Sequence, residues 1–254
     1  MPNVGRVVTA LLGAAGGFLL VGAAQPAELT GTDFNVIYDP TTLGLFGTLS
    51  LVGSTLEFTP NNFIATSTNG QGIVTPTGAT TASNIQLIAN PGFHFGSLQL
   101  AELGDYQLAG TGASVGLSGE LIAFDGDSTA NPVTTYTTST ITASAPLTVN
   151  TGLSNTQNWT ASAAITNSTP TVYSGSAWLS GAQTVDVSIE NLLSADTTAG
   201  NSEALIQKKA AFGGVGLTVT PVPLPAAVWL FASGITALGF ALRRQVPRAM
   251  RESI

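Results

Sequence analysis

Apolar and polar residues alternate with a period of two along most of the middle of the chain. Thr48-Leu49-Ser50-Leu51 alternates, and Thr55-Leu56-Glu57-Phe58-Thr59 does so again after the turn formers Gly53-Ser54. Val185, Val187 and Ile189 alternate with Asp186, Ser188 and Glu190; Val215, Leu217 and Val219 alternate with Gly216 and Thr218. Successive side chains of an extended strand point to opposite faces, so each run reads as a half-buried strand. Further strands are predicted over 34–38, 63–67, 85–89, 93–100, 106–109, 115–124, 134–143, 159–165 and 171–179. Turn formers separate them: Pro60-Asn61-Asn62, Asn69-Gly70, Asn90-Pro91-Gly92 and Asp125-Gly126-Asp127. Residues 202–209 are read as a helical turn or two, and no other helical period stands out between 25 and 221. There is no fixed-period repeat, which argues against a solenoid or propeller. Many short strands between turns predict an all-β body over 25–221, an antiparallel β-sandwich or jelly roll.

The two ends follow a different pattern. Residues 1–24 carry one basic residue, Arg6, then an uncharged apolar stretch, then Gly22-Ala23-Ala24 before Gln25-Pro26. That order matches a secretory signal peptide, cut after Ala23 or Ala24 by signal peptidase once the secretion machinery has engaged it. Residues 226–242 are uncharged and apolar, and as a helix they would span about 26 Å, near the lower limit for a bilayer. Trp229 stands near one end, and Arg243 and Arg244 follow the other, with Arg248 and Arg251 beyond. Positive charge stays cytoplasmic, so the expected topology is a C-terminal transmembrane helix with the body outside and the tail, 243–254, inside.

Immediately before that span stands Val222-Pro223-Leu224-Pro225-Ala226. The pentapeptide, the apolar stretch and the Arg-Arg pair together resemble the PEP-CTERM class of sorting signal, in its VPLPA-CTERM variant. The resemblance covers 222–251, with Leu224 where the commoner form has Glu. It implies a Gram-negative envelope protein recognised by an exosortase, cleaved near the motif and passed from an inner-membrane intermediate to the cell surface or beyond. Pro223 and Pro225 lack amide donors and resist helix, so the motif is expected to be extended. Four body segments, GSTLEFTPNNFIATS (53–67), LAELGDYQLAGTG (100–112), VDVSIENLLSA (185–195) and QKKAAFGGVGLTV (207–219), are similar to β-sandwich domains attached to this signal. That likeness implies a sandwich and no activity.

Charge sharpens the picture. Charged residues are 8% of the chain, and thirteen of the fourteen acids lie within 25–221 beside two basic residues, Lys208 and Lys209. An acidic body repels phosphate backbones, so no nucleic-acid partner is expected. With no Cys and one His, thiol catalysis, Cys-ligated metals and His clusters are excluded, and no cofactor is expected. His94, between Phe93 and Phe95, has no evident triad, and no nucleophile-elbow motif surrounds any Ser.

Three further groups bear on chemistry. Asp125 and Asp127 are a weak calcium candidate, equally explained as a hairpin turn. Glu102 with Asp105, and Glu120 with Asp125, are the carboxylate pairs left for hydrolysis, and none is assigned a catalytic role. Trp159, Tyr173 and Trp178 could line a sugar-binding face if exposed. The leading expectation is therefore a non-enzymatic, matrix-associated surface protein. A module that binds exopolysaccharide is the alternative, and an extracellular hydrolase a more distant one. Finally, at least one of Lys208 and Lys209 is expected within ion-pair reach of Glu102, Asp105 or Glu190, and alternation suggests that only one pairs.

Overall fold

The computed structural model describes residues 25–127, 136–150, 152, 155–166, 168–169, 181–210 and 213–225. Among these the regular structure is strand, with two short 3-10 turns, 40–42 and 44–46, and no α-helix. The predicted strand 171–179, the expected signal peptide over 1–24 and the apolar stretch 226–242 lie outside the described residues. No helix among the described residues is long and apolar enough to cross a membrane.

Among the described residues, fourteen strands form two antiparallel sheets. The first holds β1 (Ala27–Thr30), β2 (Phe34–Tyr38), β6 (Thr81–Ala89), β12 (Thr184–Thr197), β8 (Ala113–Asp125) and β9 (Tyr136–Thr140), side by side in that order. The second holds β10 (Thr142–Ala143), β11 (Gln157–Thr166), β7 (Phe93–Ala109), β14 (Val215–Pro223), β4 (Thr55–Thr59) and β3 (Thr48–Val52). Two more strands, β13 (Glu203–Lys208) and β5 (Ile64–Thr68), extend β7 sideways along its C-terminal half. Thus β14 and β13 lie end to end on one edge of β7, β14 against 93–102 and β13 against 104–109.

The inward residues are apolar. Phe34, Val36, Ile85, Leu87, Leu121, Ala123, Val185, Val187, Ile189 and Leu193 come from the first sheet, and Leu56, Phe58, Leu98, Leu100, Ile206, Val215 and Leu217 from the second. Each follows its strand's alternation, so the period of two dictates the face and the two apolar faces bury one another. Phe46 anchors one end of this core, edge-on to Phe58 and Phe63 at 5.6 and 5.4 Å between ring centres.

Three expectations need correction. The strand predicted over 134–143 is not one strand: 136–140 form β9 in the first sheet and 142–143 form β10 in the second. Residues 93–100 and 106–109 belong to one strand of 17 residues, β7, not two. Residues 202–209 are not helical: Ala204, Ile206 and Lys208 face inward from β13. In the latter two places a charged residue at an inward position, Glu102 or Lys208, interrupts the apolar alternation without interrupting the strand. In addition, β14 runs two residues past the expected body boundary at 221, taking Val222 and Pro223 into the sheet.

Irregularities in the ladders matter as well. Val187 pairs with Ile85 but Ile189 pairs with Ala82, so β6 carries a bulge at Ser83-Asn84, with Asn84 at φ 55°. The bulge turns carbonyls outward: Asn84 O accepts from Asp39 N–H and Ser83 O from the Thr42 hydroxyl. This ties the 39–42 turn to β6, beyond the end of its ladder with β2.

Candidate functional site

The solvent face of the first sheet carries an open groove. In the ladder registers Ile37, Gln86, Asp186, Phe124 and Tyr136 are successive partners across five strands, so they form one row on that face. Around this row lies an open groove of about 820 Å³ whose walls include Tyr38, Asp39, Gln86, Ile122, Phe124 and Asp186. Gln86 Nε2 donates to Asp186 Oδ1 at 2.9 Å, which orients the amide. Phe124 and Tyr136 pack with their rings 5.5 Å apart. Asp39 forms the rim, its carboxylate accepting from the Thr41 hydroxyl at 2.7 Å and the Thr41 amide at 2.9 Å. Those hydrogen bonds, the hydroxyl's first, hold Asp39 below its ordinary carboxylate value of 3.8. Aromatic and aliphatic floor with amide, hydroxyl and carboxylate edges suits a ligand with alternating apolar and hydroxyl faces.

The aromatics expected to make such a site are placed otherwise. Trp159 is only 3% exposed. It lies opposite Gly104 in the β11–β7 ladder, and its Nε1 donates to Asp105 O at 3.3 Å. It is a core residue, and the expected role as a sugar platform is wrong for it. Glycine is what admits the indole: a Cβ on Gly104 would stand 2.1 Å from Trp159 Cε2. Tyr173 and Trp178 lie outside the described residues. The groove residues that sequence reasoning missed, Tyr38, Gln86 and Phe124, come from three strands, and only ladder register unites them.

The carboxylate candidates do not converge in pairs. Glu102 faces the core and Asp105 the outside, since an odd spacing in a strand inverts the face. Glu120 and Asp125 are likewise separated by an odd spacing on β8. At the tip of β8, Asp127 Oδ2 accepts the amides of Gln183 and Thr184 at 2.5 and 3.1 Å, and Asp125 Oδ1 accepts the amide of Asp127 at 3.0 Å. Asp127 thus ties the turn to the start of β12, and Asp125 closes the turn itself. No group of three His, Cys, Asp or Glu side chains among the described residues is placed to hold a metal ion.

Lys208 and Lys209 both pair, where one pairing was expected. Lys208 Nζ stands 2.6 Å from Glu102 Oε2, with both side chains fully shielded from solvent. Lys209 Nζ lies 3.6 Å from Asp105 Oδ1 and 3.0 Å from Asn158 Oδ1 at the surface. Alternation does put the two lysines on opposite faces, but it does the same to Glu102 and Asp105. Each lysine therefore finds an acid on its own side.

Within the pentapeptide 222–226, Val222 and Pro223 close β14, Leu224 N–H donates to Gly92 O at 2.7 Å, and Pro225 is exposed. Val222 and Pro223 are extended, as expected of the motif; Ala226, Arg243 and Arg244 lie outside the described residues. Val222 faces His94 across the ladder, and His94 Nδ1 is buried without a hydrogen-bond partner among the described residues. No family model, curated protein or solved structure matches the chain.

Proposed function

We propose that this chain is an exported envelope protein of a Gram-negative bacterium, sorted to the surface by an exosortase and serving there as a non-enzymatic, matrix-associated module. The observation that carries the reading is the exit of the chain from the sandwich. The last strand passes through Val222 and Pro223 and presents Leu224 and Pro225 at the end of the sheet, directly before the apolar stretch. A processing enzyme at the membrane surface would meet a rigid, extended substrate with its prolines already fixed in φ. The test is expression of the full chain in a host with and without an exosortase, followed by fractionation and immunoblotting. Processing that requires the exosortase, and that Pro225→Ala abolishes while the body stays folded, supports the proposal. Equal processing in both hosts sinks it.

A second reading, binding of exopolysaccharide by the body, rests on the groove across β2, β6, β12 and β8. Its acidic rim excludes polyanions and favours neutral or amino sugars. Glycan-array screening of the purified protein checks it. Binding should weaken at least about tenfold in Phe124→Ala, which removes the ring from the groove floor.

A further inference from the structure

Three polar side chains are buried together between the sheets, on three different strands. Glu102 projects from β7, Lys208 from the end of β13, and Asn191 from β12 of the opposite sheet. Their exposures are 0%, 4% and 2%. Lys208 Nζ approaches Glu102 Oε2 to 2.6 Å, and Asn191 Nδ2 donates to that same oxygen at 2.6 Å. One carboxylate oxygen therefore touches both a primary amine and a primary carboxamide, which makes amine and carboxamide neighbours.

The surroundings are dry and aromatic. Lys208 Nζ lies 5.3, 5.0 and 5.8 Å from the ring centres of Phe46, Phe63 and Trp159. Burial lowers the Lys208 ammonium from its ordinary value of 10.5, and the charge of Glu102 opposes that in part. The cluster is also poorly satisfied as it stands. Glu102 Oε1, Asn191 Oδ1 and Lys208 Nζ are all buried without an aligned hydrogen-bond partner among the described residues. Orphaned buried polar atoms are costly, and an isolated buried ion pair stabilises little compared with apolar packing. Three such atoms on side chains that converge on one carboxylate call for an explanation that ion pairing does not supply.

The geometry points to a self-catalysed cross-link: an amide bond between Lys208 Nζ and Asn191 Cγ, formed with Glu102 as the catalytic acid and base. Glu102 takes a proton from the Lys208 ammonium, leaving a free amine beside the carboxamide. The amine lone pair attacks Cγ, a C–N bond forms, and the carbonyl electrons move onto Oδ1. Glu102 relays a proton from Nζ to Nδ2, which already rests against its Oε2. The tetrahedral carbon then collapses, the Cγ–Nδ2 bond breaks, and ammonia leaves. Amine plus carboxamide become a secondary amide plus ammonia, with no oxidant, cofactor or second substrate. Exclusion of water protects the reaction from hydrolysis and keeps the amine unprotonated once it has lost its proton. The product removes the ammonium from the core and joins the two sheets covalently.

The test is mass spectrometry of the purified, folded full chain after unfolding and digestion with a protease that cuts after Asp and Glu. Cuts after Glu190, Asp196 and Glu203 free the hexapeptide Asn191-Leu192-Leu193-Ser194-Ala195-Asp196 from the fragment that begins at Ala204 and contains Lys208. The expected result is these two fragments joined, at a mass lower by one ammonia than their sum, with fragmentation placing the branch at Lys208. Two separate, unmodified fragments from folded wild-type protein overturn the proposal. Glu102→Gln should retain the β-sheet circular dichroism and yield only separate fragments, and joined fragments in that variant overturn the role given to Glu102. If Glu102→Gln fails to fold, the wild-type digest decides alone.

Discussion

Trp159 lies opposite Gly104 on the adjacent strand, its indole in the space that any side chain at 104 would occupy. An added Cβ would stand 2.1 Å from Trp159 Cε2 and 2.2 Å from Gln207 O, the latter a backbone atom that cannot swing aside. Gly104→Ala is therefore expected to destabilise the fold by at least about 1–3 kcal/mol, as overpacking does. Urea unfolding followed by tryptophan fluorescence measures it. A midpoint equal to wild type would mean that Trp159 does not sit there.

The buried cluster gives a prediction independent of any covalent bond. Glu102→Gln leaves Lys208 without its anion in a dry core, at a cost of about 3–5 kcal/mol. Adding Lys208→Met removes the stranded charge, so the double variant is expected to be more stable than Glu102→Gln alone. Denaturant titration of the two variants makes the comparison, and a further loss in the double variant would contradict it.

That stranded lysine also has a pH signature. Its folded pKa is depressed by burial, so the unfolded chain binds the proton more tightly. For Glu102→Gln, stability should be lowest below the folded pKa of Lys208 and rise as pH climbs from there toward 10.5. Melting temperatures across alkaline pH, compared with those of the double variant, isolate the effect.

Asp39 behaves in the opposite sense. Its carboxylate is held below 3.8 by the Thr41 hydroxyl and amide, so its contribution is present above that value and is lost as pH falls through the folded pKa. Thr41→Val removes the hydroxyl. The Asp39 carboxyl, followed by NMR titration, should then titrate at higher pH than in wild type, though still under the influence of the Thr41 amide.

Pro221 and Pro223 lead to a prediction about association. Leu224 N–H bonds to Gly92 O, and strand backbones alternate direction, so the nitrogens of Pro221 and Pro223 face away from β7. That is the edge where β4 no longer pairs, its ladder with β14 ending at Thr218. Prolines there deny a passing strand its donors. Replacing both with Thr should increase self-association at high concentration, read by light scattering or sedimentation.

Where the sequence was legible, the reason is simple geometry. Strands 34–38 and 55–59 were predicted at their observed limits because their inward residues are all apolar, so the alternation is unbroken. The reading failed at 101–105 and 202–209, where Glu102 and Lys208 occupy core positions and imitate a loop or a helical surface. Asn191 was passed over for the same reason, although the register of Val185, Val187, Ile189 and Leu193 places it inward. A polar residue in an apolar register was the available signal. The groove was illegible for another reason: its residues are adjacent across strands, and sequence does not state which strands are neighbours.

The meeting of Asn191 and Glu102 has a mechanical consequence. Apolar contacts between stacked sheets have little directionality and tolerate sliding. A polar contact made from one sheet to the other fixes their relative position along both strand axes. Tension entering at Pro225 loads β14 and then β7 in shear, along a ladder of nine paired positions. To reach anything held on the outer face of the first sheet, that load must cross the core, and Glu102 and Asn191 stand where the two central strands meet. Slippage of one sheet over the other would have to break that contact first.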